Sequence, residues 1–122
     1  MQIGNDIIEI SRIKNFIEKH GEACKGRVFS EREWDYCFSK ANPYHSFAAR
    51  FAAKEAVAKA FGTGFGYHLA WNSIEILKDD KGAPYVKLDE KGQSLLENLH
   101  AKTVKISLSH CKDFATAVAI IE

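Results

Sequence analysis

The sequence has few cysteines, few prolines, little net charge and no long apolar run. Three cysteines, Cys24, Cys37 and Cys111, are an odd number without close spacing. A disulfide framework and a zinc site are therefore disfavoured, and a reducing compartment is indicated. The stretch MQIGNDIIEI lacks the basic region of a signal peptide. Since no segment approaches the roughly 20 apolar residues that span a bilayer, we expect a cytoplasmic protein that does not enter a membrane.

The charge is nearly balanced, at +1 over 122 residues, which predicts no nucleic-acid partner. Residues 11–32 are an exception, because their lysines and arginines outnumber their glutamates. Such a segment can attract an acidic protein surface, although a solvated helix of mixed charge explains it equally well. The hydrophobic content of 46% argues against disorder. The length predicts one domain over residues 1–122.

The first half of the chain reads mainly as helices. MQIGNDIIEI is predicted to be a short strand, and Ser11 to cap the helix that follows it. Ser30 and Glu33 have the spacing of a capping box before a second helix. A turn at ANPYHS then precedes a third helix, which is expected to run from near Ser46 to Gly62.

The second half of the chain reads mainly as strands. SIEILKDDKGAPYVKL predicts a hairpin with Gly82 at its bend, and Asp89 can cap the short helix after it. TVKISLSH and FATAVAIIE then predict two more strands joined by a tight turn. The fold class expected from both halves is α+β, with an antiparallel sheet packed against helices.

The third helix, RFAAKEAVAKAF, carries four charged side chains among alanines: Arg50, Lys54, Glu55 and Lys59. At 100° per residue, Glu55 and Lys59 lie on one flank of its apolar stripe, and Arg50 and Lys54 on the other. Glu55 and Lys59 have the order of a favourable ion pair, which is the structural interpretation. The small alanines beside Glu55 favour a second one, in which a ligand or another chain approaches its carboxylate.

The loop FGTGFG follows this helix directly. Its glycines permit positive φ and leave backbone N–H groups uncovered, as phosphate-binding turns require. We assign Gly62, Thr63 and Gly64 as candidate phosphate contacts. An ordinary helix C-cap would also explain Gly62, and the loop lacks the ending of a Walker motif.

Asp6 lies within the apolar first strand, where an acid is costly unless it is paired or binds a metal. Asp6 and Glu55 could together hold Mg²⁺, with phosphate oxygens and water completing the octahedron, if the strand lies beside the helix. A salt bridge from Asp6 to Arg12 or Lys59 is the competing interpretation.

His110 ends the strand KISLSH, where its ring can reach a site at the end of the sheet. A purely structural role is the alternative. A dyad with Cys111 is rejected, because successive strand residues point to opposite faces.

Three motifs together, IGNDIIEI, RFAAKEAVAKAFGTGFG and ISLSH, resemble the signatures of the bacterial holo-acyl-carrier-protein synthases. That family is the short-chain group of the 4′-phosphopantetheinyl transferases. The resemblance covers essentially the whole chain and includes RVFSEREW and IEILKDDKGAPYV. Asn5 departs from the pattern, since the family usually has an apolar residue or threonine there, and this puts the backbone position of Asp6 in question.

The resemblance implies the 4′-phosphopantetheinyl transferase fold and a role in fatty acid biosynthesis. The reaction would transfer 4′-phosphopantetheine from coenzyme A to a serine of an acyl carrier protein and release adenosine 3′,5′-bisphosphate. Asp6 and Glu55 would hold Mg²⁺, and Lys59 would act on the departing phosphate. Arg50, the glycine loop and His110 would hold the phosphates of coenzyme A. The base for the serine proton would be Glu55 or a water on the metal.

The resemblance also implies a homotrimer with each active site between two subunits. The acidic carrier protein would dock on the basic first helix through Arg12, Lys14 and Lys19, with Phe16 as an apolar anchor.

Two other classes of protein stay open when the residues are considered without the resemblance. One is a Mg²⁺-dependent hydrolase of a nucleotide or pyrophosphate, and the other is a non-catalytic interaction module.

Overall fold

The computed structural model describes all 122 residues as four α-helices and five β-strands, with two short 3₁₀ turns between them. In chain order the elements are β1 (Gln2–Glu9), α1 (Ile10–His20), α2 (Glu31–Phe38), α3 (Pro43–Phe61), β2 (Ile74–Lys78), β3 (Pro84–Leu88), α4 (Glu90–Asn98), β4 (Val104–His110) and β5 (Phe114–Ile121).

The strands form two antiparallel sheets rather than one. The larger sheet has the order β1-β5-β4, so the first strand pairs with the last, from Gln2 opposite Ile121 to Glu9 opposite Phe114. The smaller sheet is the hairpin β2-β3. The predicted α+β class, with antiparallel strands packed against helices, is confirmed. The prediction of both hairpins is also confirmed, because β4 and β5 pair across the tight turn at residues 111–113.

Helix α3 lies at the centre of the fold and is buried on nearly all sides. Its alanines pack against the alanines that β5 turns toward it, namely Ala115, Ala117 and Ala119. The expectation that the alanines beside Glu55 leave room for a ligand or another chain is therefore wrong. Ala52, for example, is fully buried in the chain's own core, because β1 and β5 cover that flank. Neither α3 nor any other helix is long and apolar enough to cross a membrane.

Gly4 explains how β1 approaches α3 so closely. A Cβ at this position would lie 2.0 Å from the carbonyl oxygen of Ala56 and 2.7 Å from the amide nitrogen of Ala60. Both distances are far below any tolerable contact, so only glycine fits. The absent side chain places the backbone of β1 directly on the helix, two residues before Asp6.

The helix ends divide between correct and incorrect predictions. Ser30 and Glu33 form the predicted capping box, and the Asp89 side chain accepts from the amide of Gly92. Ser11 is not a cap, because α1 already begins at Ile10. Helix α3 begins at Pro43 and not near Ser46, since a proline in the first helical turn lacks only an N–H that would have no partner there.

Candidate active site

One part of the candidate site forms where β1 meets α3. The Lys59 ammonium lies 3.0 Å from Oδ1 of Asp6 and 3.0 Å from the carbonyl oxygen of Asn5. The salt bridge between Asp6 and Lys59 is thus present. The two other pairs considered from the sequence, Asp6 with Arg12 and Glu55 with Lys59, do not occur among the ion pairs.

The Glu55 carboxyl lies near enough to Asp6 for an electrostatic interaction between the two groups. Burial raises the pKa of Glu55, the negative charge of Asp6 raises it further, and Lys59 opposes both effects. Such repulsion between two carboxylates is relieved by a bound cation. The chain offers no cluster of three or more metal-ligating side chains. Two carboxylates nevertheless fit Mg²⁺, which usually takes one or two from the protein and the remaining ligands from phosphate and water.

The other part of the site is a cleft of about 180 Å³ between the start of α3, β4 and the end of β2. Arg50, Lys78, His45 and His110 supply its basic groups, and the two imidazole rings lie 5.3 Å apart. Arg50 is 3% exposed, and its Nε has no hydrogen-bond partner. A buried donor without a partner is unusual, and an anion in the cleft would be a suitable partner for this guanidinium.

Tyr36 on α2 concentrates the positive charge beside this cleft. The Arg50 guanidinium lies 4.3 Å from the centre of its ring, the Lys40 ammonium 4.7 Å and the Lys78 ammonium 5.7 Å. Burial raises the pKa of Tyr36, but the three cations outweigh this effect and hold the pKa below its ordinary value. The ring therefore gathers cations that together suit an anionic ligand.

The two parts of the site share one face of the larger sheet. Asp6 on β1 and Leu108 on β4 are both opposite Ala117 of β5, so they lie roughly 10 Å apart, two strand spacings, on the side that faces α3. Along α3, Glu55 follows Arg50 by five residues, a rise of about 7.5 Å. Five residues also turn the helix by about 140°, so the carboxylates and the basic cleft lie on different flanks of α3.

The glycine loop lies at the far end of α3, beyond Lys59. Gly62 ends the helix with φ 81°, and Gly64 has φ 63°, while the Thr63 hydroxyl donates to the carbonyl of Gly64. Gly62 lies 12 residues after Arg50, about 18 Å along the axis. The loop does not line the cleft of Arg50 and His110. Any phosphate that it contacts is therefore a different one.

The predicted docking residues lie along α1. Arg12, Lys14 and Lys19 are exposed, whereas Phe16 is half-buried against the ring of His20. Phe16 also borders a mainly apolar surface groove that reaches Trp71. The helix therefore offers basic side chains around a partly apolar patch.

Three residues of the site were missed by sequence reasoning. Gly4 had a usable signal, since a glycine inside a strand often marks a close backbone approach. His45 was assigned to a turn, and Lys78 to a hairpin. Neither has a local signal, because both reach the cleft through the packing of distant elements.

Comparison with known proteins points to the same protein family as the sequence motifs do. Residues 2–119 match the model of the 4′-phosphopantetheinyl transferase superfamily. The chain belongs to this superfamily. It is 51% identical over 122 residues to the holo-[acyl-carrier-protein] synthase of Ruminiclostridium cellulolyticum, covering 99% of this chain and 91% of that protein.

Solved structures of the same kind of enzyme share the fold. The holo-[acyl-carrier-protein] synthase of Neisseria meningitidis is 33% identical with a TM-score of 0.89, covering 99% of this chain and 97% of that one. The Helicobacter pylori enzyme, solved in complex with coenzyme A, is 32% identical with a TM-score of 0.86, covering 98% and 99%.

Proposed function

We propose that the protein transfers 4′-phosphopantetheine from coenzyme A to a serine hydroxyl of an acyl carrier protein. Adenosine 3′,5′-bisphosphate leaves, and the holo carrier serves fatty acid biosynthesis. The observation that carries this proposal is the joint position of Asp6, Glu55 and Lys59 beside a basic cleft whose buried Arg50 has an unpartnered donor. Membership of the transferase superfamily supports the same reaction.

In the reaction the serine oxygen forms a bond to the phosphorus that carries the pantetheine, and the bond from that phosphorus to the bridging oxygen breaks. Asp6 and Glu55 would hold Mg²⁺, which polarises the pyrophosphate oxygens when it is bound. Glu55 is the candidate base of this chain for the serine proton, since its carboxylate lies beside Asp6 and Lys59 where the reacting groups would meet. Lys59 neutralises or protonates the phosphate that departs.

The nucleotide end of coenzyme A would occupy the basic cleft. Arg50 and His110 contact a phosphate there, and the 3′-phosphate on the ribose is the one we assign to His110. Gly62, Thr63 and Gly64 would contact the ligand nearer to Lys59. The amide of Gly62 already donates to the carbonyls of Ala58 and Lys59, so the amides of Thr63 and Gly64 would be the donors to the ligand.

The carrier protein would dock on α1. Arg12, Lys14 and Lys19 are exposed and would pair with acidic side chains of the carrier, while Phe16 supplies the apolar contact. Lys14 is only loosely held within the chain, at 4.0 Å from Glu18, and is free to change partners.

A homotrimer is supported by the outer face of the larger sheet. This face carries exposed apolar side chains from β1 and β5: Ile3 at 70%, Ile7 at 63%, Phe114 at 43% and Val118 at 39%. The strand register puts all four on the side away from α3. An apolar face of this kind suits contact with further copies of the chain.

The compartment and the domain organisation complete the proposal. All three cysteines, Cys24, Cys37 and Cys111, are free thiols, which suits a reducing cytoplasm. One domain over residues 1–122 stays a prediction.

Intact mass spectrometry tests the proposed function. Apo carrier protein incubated with coenzyme A, Mg²⁺ and this protein should gain the mass of one 4′-phosphopantetheine group. A hydrolase would consume coenzyme A and leave the carrier unchanged, and an interaction module would change neither. Either of those results would refute the transfer.

A further inference from the structure

A fully buried ion pair joins α3 to α2 beside the candidate site. Lys54 is 0% exposed and Glu33 is 1% exposed, and the Lys54 ammonium lies 2.8 Å from Oε1 of Glu33. The same oxygen accepts from the amide of Ser30 at 2.8 Å, which closes the capping box at the start of α2. The pair therefore fixes the first turn of α2 against the middle of α3.

The pair also holds strand β2. Oε2 of Glu33 accepts from the amide of Ile76 at 3.0 Å, and the Lys54 ammonium donates to the carbonyl of Ile74. A further hydrogen bond of 3.3 Å joins it to the carbonyl of Trp71. Because β2 pairs only with β3, its other edge has no neighbouring strand. The two charged side chains take the place of that strand.

Each element joined by the pair contributes a residue to the basic cleft or its border. Arg50 lies one turn before Lys54 on α3, Tyr36 lies three residues after Glu33 on α2, and Lys78 ends β2. The distance between Arg50 and Lys78 across the cleft therefore depends on how these three elements are docked.

A contribution to the free energy of unfolding is a poor explanation for the ion pair of Glu33 and Lys54. Burial lowers the pKa of Lys54, although the charge of Glu33 opposes the effect. Apolar side chains of similar volume are often at least as stabilising as a buried ion pair. What apolar side chains do not provide is directed hydrogen bonding to two strand residues and a helix start. Geometry is thus the better explanation.

We propose that Glu33 and Lys54 are positioning residues that set the preference of the cleft for a ligand with a ribose 3′-phosphate. They act by docking α2 and hairpin β2-β3 on α3 so that Arg50 and Lys78 lie on either side of that phosphate. The inference rests on the proposed function and assigns two residues that touch neither the ligand nor the reacting atoms.

Equilibrium binding of coenzyme A and of dephospho-coenzyme A, measured by calorimetry, tests the inference. In Lys54→Met the Kd for coenzyme A should rise about tenfold, the worth of one hydrogen bond to a charged group, while that for dephospho-coenzyme A stays within about twofold. Lys87→Met is the matched control, because it removes an exposed lysine from the same hairpin. It should leave both constants unchanged.

Two results would show that the pair is merely structural. One is an equal rise in the Kd for coenzyme A and for dephospho-coenzyme A. The other is a lower melting temperature with the preference for coenzyme A unchanged. Because Lys54→Met leaves Glu33 as an unpaired buried charge, Glu33→Gln and the double variant with both changes are measured beside it. Each variant that folds should show the same selective loss.

Hydrogen exchange on the unmodified protein gives a check that needs no variant. Coenzyme A should slow exchange of the Ile76 amide, and dephospho-coenzyme A should slow it less. The reason is that only coenzyme A has the 3′-phosphate that would contact both Lys78 and Arg50. Exchange of Ile76 that is the same with both ligands would overturn the proposal. These measurements use binding alone, so an absence of transfer to the carrier protein would refute the proposed function without deciding the role of the pair.

Discussion

Replacing Lys59 separates a structural role from a chemical one. Its ammonium lies 3.0 Å from Asp6, and its side chain is 54% exposed. Exposed ion pairs contribute about 0–1 kcal/mol to the free energy of unfolding. We therefore expect Lys59→Met to lower the melting temperature by about 4 °C or less.

The expected effect on catalysis is much larger. A lysine that neutralises or protonates the departing phosphate contributes about 10²–10⁴ to kcat. This range corresponds to about 3–5 kcal/mol in activation free energy, several times the contribution of the exposed pair. Lys59→Arg should recover only part of the loss, because arginine keeps the charge but does not readily give up a proton.

The assay is kcat from the time course of carrier-protein mass at saturating coenzyme A, carrier and Mg²⁺, beside thermal melting of each variant. Lys102→Met serves as the control, since Lys102 is also exposed but lies in the connection between α4 and β4. Near-normal turnover in Lys59→Met would refute the catalytic role and leave the salt bridge with Asp6 as the whole explanation.

Four further variants and metal chelation test the site. Asp6→Ala and Glu55→Ala should each abolish transfer while circular dichroism stays unchanged, and chelation should do the same to the unaltered protein; full activity in chelator would remove the metal from the mechanism. Gly4→Ala should lower both the melting temperature and kcat, because its Cβ would lie 2.0 Å from a carbonyl of α3 and push Asp6 away from that helix; normal values for both would show that β1 tolerates the displacement. Arg12→Glu should raise KM for the carrier protein and leave KM for coenzyme A unchanged, with wild-type carrier affinity falling as salt rises; salt-insensitive carrier binding would count against α1 as the docking face.

Local signals in the sequence were sufficient for most of the secondary structure. The capping box of Ser30 and Glu33, the Asp89 cap and the end of α3 at Gly62 each depend on residues within one helical turn. The hairpin with Gly82 at its bend, where φ is 84°, follows from similarly short-range geometry. Such features are predictable because the interacting groups are neighbours in the chain.

The same local reasoning misjudged the charges of α3. The alanines beside Glu55 suggested a helix flank open to a ligand or another chain. The structure instead buries Lys54 completely in an ion pair with Glu33 and leaves Glu55 half-buried near Asp6. Helical spacing gives the angle of each side chain about the axis, but what covers that angle depends on elements elsewhere in the chain.

By itself the sequence determined the α+β class, both hairpins, the helix caps at Ser30, Asp89 and Gly62 and the motifs that identify the superfamily. Only the tertiary structure decided that β1 pairs with β5 at the other end of the chain, that Asp6 bonds Lys59 and not Arg12, and that Lys78 joins Arg50 at the cleft. The physical reason is sequence separation. These contacts join residues tens of positions apart and depend on strand register and on the close approach that Gly4 permits, neither of which a local pattern contains.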